Sequence, residues 1–396
     1  SPGQTQNDRM GFVILVLANP HLSDTILTMN IEKPTLLLDT LRVRNNIHRM
    51  AEISRNQSVR FRPHFKTHQS IEIGEWFREE NVRQITVSSV DMAMYFAGAG
   101  WSDILIAFPV NILQIRQINE LAAMVHLGLL VESMETLEFL KENLTHGVDI
   151  WIKVDVGAHR TGIGWDQTDV IAELAHVISQ SPRMVFRGLL THAGHTYTAR
   201  SRDEIRRISN DAVDKITNAR NSLQEKGLAP VEVSIGDTPG CTLGVGLDRV
   251  DEIRPGNFVF YDLMQLQIGS CTPADIAAVV ACPVVARHLE RNELVLYGGA
   301  IHLSKEYLTL ENGQHSYGAV CRLTPNGWGS IENGVWVKSL SQEHGIVRGP
   351  KEFIQQVKVG DVLAVVPVHS CLTVNLMKRY QTLTGETILT LEAGEW

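Results

Sequence analysis

The chain has 396 residues, 44% hydrophobic and 20% charged, with a formal net charge of −8 when its 15 histidines are neutral. That composition sustains a folded core rather than a disordered chain, and the length accommodates a (β/α)8 barrel of about 250 residues plus a smaller domain. No block of like charge suggests a nucleic-acid partner. No apolar run approaches the ~20 residues that a membrane helix needs.

In chain order, the apolar run at residues 11–18 (GFVILVLA) follows a single basic residue, Arg9. That is minimal for a secretory leader, so residues 1–30 are expected to form an N-terminal extension that lends a strand to the second domain. From about residue 33, short apolar runs fall at 35–39, 60–64, 85–89, 103–108, 126–132, 150–155, 186–191 and 231–235. Most are continuously apolar, as strands buried on both faces are. Amphipathic stretches between them, such as 41–53, 134–144 and 202–226, read as helices. Eight strands alternating with helices predict a parallel barrel over residues 31–265. Beyond that, runs at 279–285, 293–297, 335–340 and 362–366 are punctuated by Gly, Pro and Asn, and predict a mostly β domain over residues 266–396. The five cysteines (241, 271, 282, 321 and 371) are odd in number and scattered. They form no disulfide framework, and the expected setting is reducing and cytoplasmic.

In such a barrel the reactive side chains stand where strands end. Lys66 follows the second run in RPHFKTH, between His64 and His68. Apolar walls and neighbouring cations would lower its pKa and make the amine a usable Schiff-base nucleophile, although a surface lysine fits the heptapeptide equally well. Asp155 and Arg160 close the sixth run in DVGAHRTG. His192, His195 and Tyr197 follow the seventh in THAGHTY. After the eighth, SIGDTPG offers backbone N–H groups and the Thr238 hydroxyl to a phosphate, and Arg254-Pro255-Gly256-Asn257 could close the same anion site. Near the C-terminus, His369 and Cys371 lie two apart at the end of the run 362–366. On an extended strand they would face one side and reach a single borderline-soft ion, zinc above others. Read alone, that pair fits a buried cysteine beside a satisfied histidine better.

The stretches RPHFKTH, DVGAHRTG, THAGHTY, SIGDTPG, RPGNFVFYD, SQEHG and VPVHSCLTVN, in this order, resemble the metal-dependent fold-type III pyridoxal-phosphate enzymes. That family includes D-serine dehydratase, D-threo-3-hydroxyaspartate dehydratase and D-threonine aldolase, with alanine racemase more distant. The resemblance runs from about Lys33 to the C-terminus. It implies that Lys66 carries pyridoxal 5′-phosphate, that His192 lies near the ring, and that Arg160 lies near the phenolic oxygen with Tyr197 on the same side. It implies further that Gly236, Thr238, Gly256 and Asn257 hold the phosphate. His369 and Cys371 then bind zinc, or manganese or another divalent cation in its place, and the enzyme is a homodimer acting on a small D-amino acid. HxC at the metal resembles the dehydratases, where the aldolases have HxD. The expected reaction is therefore dehydration of D-serine or D-threo-3-hydroxyaspartate, with the aldolase and racemase reactions as alternatives. The stretch at 298–305 (GGAIHLSK) matches neither group. A non-catalytic cofactor carrier is disfavoured by the long second domain.

Overall fold

A computed structural model describes residues 30–391, so the run at 11–18 lies outside the described residues. The first part of the chain lays down β1 (Thr35–Leu38), β2 (Arg60–Phe61), β3 (Ile85–Val87), β4 (Asp103–Pro109) and β5 (His126–Val131). It continues with β6 (Val148–Asp155), β7 (Ile163–Gly164), β8 (Met184–Leu190), β9 (Glu232–Ile235) and β10 (Glu252–Ile253). Eight of these pair in parallel in the order β2-β10-β9-β8-β6-β5-β4-β3, and β7 adds to β6. The bridge between His64 and Thr86 joins the two ends, with Thr86 N donating to Pro63 O and Phe65 N to Thr86 O, each at 2.9 Å. The sheet is thereby a closed (β/α)8 barrel, and the same bridge fixes the loop that carries Lys66.

The second part supplies β11 (Ala278–His288), β12 (Glu293–Tyr297), a small hairpin of β13 (Leu308–Thr309) and β14 (His315–Ser316), and β15 (Gly318–Thr324). It ends with β16 (Gly327–Leu340), β17 (His344–Arg348), β18 (Val362–Pro367), β19 (Arg379–Thr382) and β20 (Thr387–Leu389). Strands 12, 17, 16, 15, 18 and 11 pair in sequence, and β11 pairs back to β12, closing an antiparallel barrel.

One strand assignment from the sequence is corrected here. The run at 35–39 is not a barrel strand: β1 pairs antiparallel with β11 and parallel with β19, inside the C-terminal sheet. An all-apolar TLLL suits any strand buried on both faces, so its pattern cannot name its partner. The eighth barrel strand is β10, too short and too polar to register as an apolar run. Leading with β1 and returning after β10 stitches the two sheets together. Among the described residues no helix is long and apolar enough to cross a membrane.

The barrel interior is stratified. Leu105, Leu130, Trp151 and Leu190, from β4, β5, β6 and β8, form an apolar plug of their own. Toward the strand starts lies an ionic layer. Arg62 pairs with Asp103 at 2.6 Å and with Glu252 at 2.8 Å, while Asp149 receives His126 at 2.8 Å and Arg187 at 2.6 Å. Glu252 is fully buried and also accepts from Ser234 Oγ at 2.8 Å, so it ties β10 to β2 and β9. Removing it leaves the buried Arg62 guanidinium partly uncompensated, a loss of about 3–5 kcal/mol. Glu252→Ala is therefore expected to lower the melting temperature by several degrees in a thermal scan. A change within experimental error would show that the layer does not brace the barrel.

Candidate active site

Above the plug, toward the strand ends, a cavity of about 500 Å³ opens between the two sheets. The ten residues to which the resemblance gives roles line it: Lys66, Arg160, His192, Tyr197, Gly236, Thr238, Gly256, Asn257, His369 and Cys371; Arg254 lines it too, whereas Asp155 and His195 do not. Each is delivered by a local device. The Lys66 N–H donates to His64 Nδ1 at 3.4 Å, holding the loop after β2. Asp155 Oδ1 accepts from the N–H groups of Gly157, Ala158 and His159 at 2.9–3.1 Å, forming the turn that presents Arg160. Burial works against the Asp155 carboxylate, but these donors and the His159 imidazole hold its pKa below the ordinary value. Asp237 accepts from Gly240 N at 2.7 Å and from Thr196 Oγ1 at 3.2 Å, which locks the loop carrying Tyr197 to the turn carrying Thr238. Burial raises the Asp237 pKa to about 6.

His192 Nδ1 donates to the Gly236 carbonyl, which leaves Nε2 as an acceptor facing the cavity. Burial and the nearby Lys66 push the His192 pKa well below its ordinary value, so the ring is neutral. Tyr197 lies beside it, with ring centroids 6.1 Å apart, and its hydroxyl approaches Thr238. Of the two histidines flanking Lys66, only His64 reaches the cavity. His68 is fully buried and packs on Phe65 and Phe77.

The expected strand geometry of HSC is also corrected. β18 ends at Pro367, His369 is the N-cap of a helix, and Cys371 sits in the first turn of that helix, Ser370–Met377. The two side chains still line one cavity, because the turn into the helix folds them toward each other, and each feels the other's charge. Burial opposes both charges, but the pair stabilises itself: the His369 pKa rises to about 9, and the Cys371 pKa falls below that of an ordinary thiol. Thr67, the residue after Lys66, places Oγ1 3.2 Å from Cys371 Sγ. The unplaced GGAIHLSK stretch forms a short helix, Ala300–Leu303, packed against the helix that begins at Ser370, with Thr373 Oγ1 donating to Leu303 O at 3.4 Å.

The family model of the alanine racemase N-terminal domain matches residues 38–263. The chain belongs to this family. A serine dehydratase domain model matches residues 277–383, so the alanine racemase-like barrel here carries the second domain of the dehydratases. D-threo-3-hydroxyaspartate dehydratase from Delftia sp. strain HT23 is 29% identical, with 92% of this chain and 97% of that protein covered. Its solved structure superposes with a TM-score of 0.85 over 94% of this chain and 100% of that one. D-serine dehydratase from Dictyostelium discoideum is 28% identical over 90% of this chain and 94% of its own. D-threonine aldolase from Arthrobacter sp. is 25% identical, with 87% of each chain covered. A further solved structure, of a D-threo-3-hydroxyaspartate dehydratase, is a cysteine-to-alanine variant in the metal-free form.

Within this alanine racemase-like barrel, Arg254, which the sequence already placed at the anion site, and Lys153, which motif reading missed, complete the electrostatics. Lys153 and Arg254 line the cavity together with Lys66 and Arg160, and no Asp or Glu is among its described lining residues. Arg254 is buried, donating to Ser234 Oγ at 2.7 Å and to the Thr191 carbonyl at 2.6 Å, and burial lowers its pKa to about 10. Burial, then the Arg254 and Arg160 charges, lower the Lys153 pKa to about 7. The available signal was a lysine two residues from Trp151 on the strand VDIWIKVD, and so on the same face. A polyanion bound here favours charged Lys153, so its affinity should fall as pH rises through 7, by at most about tenfold per unit. Titrating the apoprotein between pH 6 and 8 with pyridoxine 5′-phosphate, which lacks the aldehyde, checks this. Lys153→Met should flatten the slope, and equal slopes would remove Lys153 from anion binding.

Proposed function

We propose that this protein is a pyridoxal-phosphate-dependent lyase acting on D-β-hydroxy-α-amino acids. It dehydrates D-serine or D-threo-3-hydroxyaspartate to a 2-oxo acid and ammonia, with a divalent cation, zinc first, at His369 and Cys371. One observation carries the reading: the lysine-bearing loop and the His–Cys segment share one cavity, in contact through Thr67 and Cys371.

The residues present fit both groups. At Gly236 a Cβ would come within 2.9 Å of Arg254 Cβ, and at Gly256 within 2.8 Å of the His64 carbonyl. Only bare backbone fits there, and a phosphate can therefore approach it. The leading N–H groups of the turns Thr238–Leu243 and Asn257–Val259 have no acceptor within their own helices. Four cationic side chains and no acid suit a phosphorylated, phenolic cofactor. For the metal, a thiolate and an imidazole are a borderline-soft donor pair. Among the described residues no cluster of three or more His, Cys, Asp or Glu side chains forms, so a cation would keep positions open for water and substrate, as catalytic sites do.

When bound, pyridoxal phosphate supplies an electron sink at Cα, and the divalent cation supplies Lewis acidity toward the β-oxygen. The chain's own residues do the rest. The Lys66 amine takes the proton from Cα. Neutral His192, held in place by its bond to the Gly236 carbonyl, would lie near the ring. Arg160 would sit at the phenolic oxygen, while Thr238 and the Gly236 and Gly256 backbone would hold the phosphate end. Phe108, Pro109, Leu130 and Leu190 on the cavity wall limit water.

A homodimer belongs to the same reading. Leu372 and Leu376, one turn apart on the helix Ser370–Met377, are 38% and 39% exposed, and Ile301 on the adjoining helix is 42% exposed. This apolar face beside the metal segment suits a second copy of the chain. Sedimentation velocity should give twice the chain mass, and Leu376→Lys should shift the protein toward monomer. A wild-type monomer would exclude the dimer.

Product analysis of zinc-loaded protein given D-serine, D-threonine and D-threo-3-hydroxyaspartate tests the reaction. Ammonia with a 2-oxo acid is expected, whereas glycine with an aldehyde would replace the dehydratase by the aldolase. Cys371→Ala should lose zinc and at least about 100-fold in turnover, as loss of a Lewis acid implies, and keep the cofactor absorbance. Full turnover in that variant would remove the metal from the mechanism.

A further inference from the structure

Asp262 closes the stretch RPGNFVFYD and is fully buried, yet nothing above gives it a task. Its Oδ2 accepts from Asn257 Nδ2 at 2.6 Å, from the Ser370 N–H at 2.9 Å and from the Ser370 hydroxyl at 3.2 Å. Its Oδ1 accepts from Gln265 N at 3.0 Å and so caps the helix Leu263–Gln267. All four donors are neutral. A carboxylate taken out of water is normally paired with a cation; here its hydrogen bonds all come from neutral donors, and the His369 imidazole interacts with its charge. The residue it holds twice, Ser370, stands between His369 and Cys371. A divalent cation on one neutral imidazole and one thiolate keeps an unbalanced positive charge at that place.

We infer that Asp262 is the buried counter-charge of the metal site, a positioning residue that grips the His369–Cys371 segment through Ser370 and strengthens its hold on a divalent cation. The same oxygen holds Asn257 of the phosphate turn, so one carboxylate registers the metal segment against the cofactor end of the cavity. The inference rests on the metal assignment proposed above. It differs from a purely mechanical brace, because an asparagine carbonyl could take the Oδ2 hydrogen bonds without the charge.

The test measures zinc affinity of the cofactor-loaded protein by competition with a chromophoric chelator, for wild type, D262N and S370A. Loss of an outer partner of a metal ligand weakens binding by about 10- to 100-fold, and D262N is expected to fall in that range while keeping the cofactor's visible absorption band. S370A keeps the carboxylate and the backbone bond and is expected to weaken zinc about fivefold, the effect of one hydrogen bond. Zinc affinity in D262N within about twofold of wild type, against the 10-fold minimum for such a partner, would reduce Asp262 to a brace and overturn the inference. Should D262N fail to fold, S370A decides alone: fivefold weakening supports the inference and unchanged affinity overturns it. Wild-type protein that takes up no zinc would sink the metal reading itself, and the inference with it.

Discussion

The whole arrangement depends on two segments 304 residues apart being held in contact. Thr67 Oγ1 lies 3.2 Å from Cys371 Sγ, the first on the loop after a barrel strand and the second on the opening turn of a helix in the other domain. Neither domain holds the site alone. The barrel offers a lysine, a neutral histidine and a phosphate-shaped backbone, and the C-terminal domain offers an imidazole–thiolate pair. The fold enforces the meeting three times over. β1, the first strand among the described residues, lies inside the C-terminal sheet, Asp262 bonds Ser370 across the seam, and the Tyr380 hydroxyl donates to the His68 carbonyl at 2.6 Å. The last of these acts on RPHFKTH itself, two residues beyond Lys66.

Electrostatics then explain why the cavity is built for an anion. A mixed-charge ionic layer at the strand starts satisfies itself, and an apolar plug of Leu105, Leu130, Trp151 and Leu190 separates it from the upper cavity. Above the plug the lining holds four lysine and arginine side chains and no carboxylate among its described residues. Burial erodes that charge selectively, so Lys153 sits near neutrality in pKa while the histidines His64 and His192 stay uncharged. A bound anion would favour the charged forms that burial opposes.

Much of this was legible in the sequence, because the site is made of contiguous motifs at strand ends, where a parallel barrel gathers its reactive groups. The ten residues to which the resemblance gives roles line one cavity. What escaped did so for physical reasons. TLLL at β1 is as apolar as any barrel strand, and only pairing reveals that it belongs to the other sheet. β10 is two residues long, and its glutamate faces an ionic layer rather than a core. Cys371 was read on a strand because Val362–Pro367 is one, but the chain turns into a helix at Ser370, and period-2 reasoning fails there. Lys153 and Asp262 lie inside a strand and after an aromatic run, and their importance arises from neighbours distant in sequence.

The proposed function requires that, of the two lysines in the cavity, Lys66 carries the cofactor. Borohydride reduction of the pyridoxal-phosphate-loaded protein followed by peptide mass mapping tests it directly. The account predicts a phosphopyridoxyl label on the peptide containing Lys66, and none on that containing Lys153. Label on Lys153, or undiminished labelling of Lys66→Ala, would contradict it.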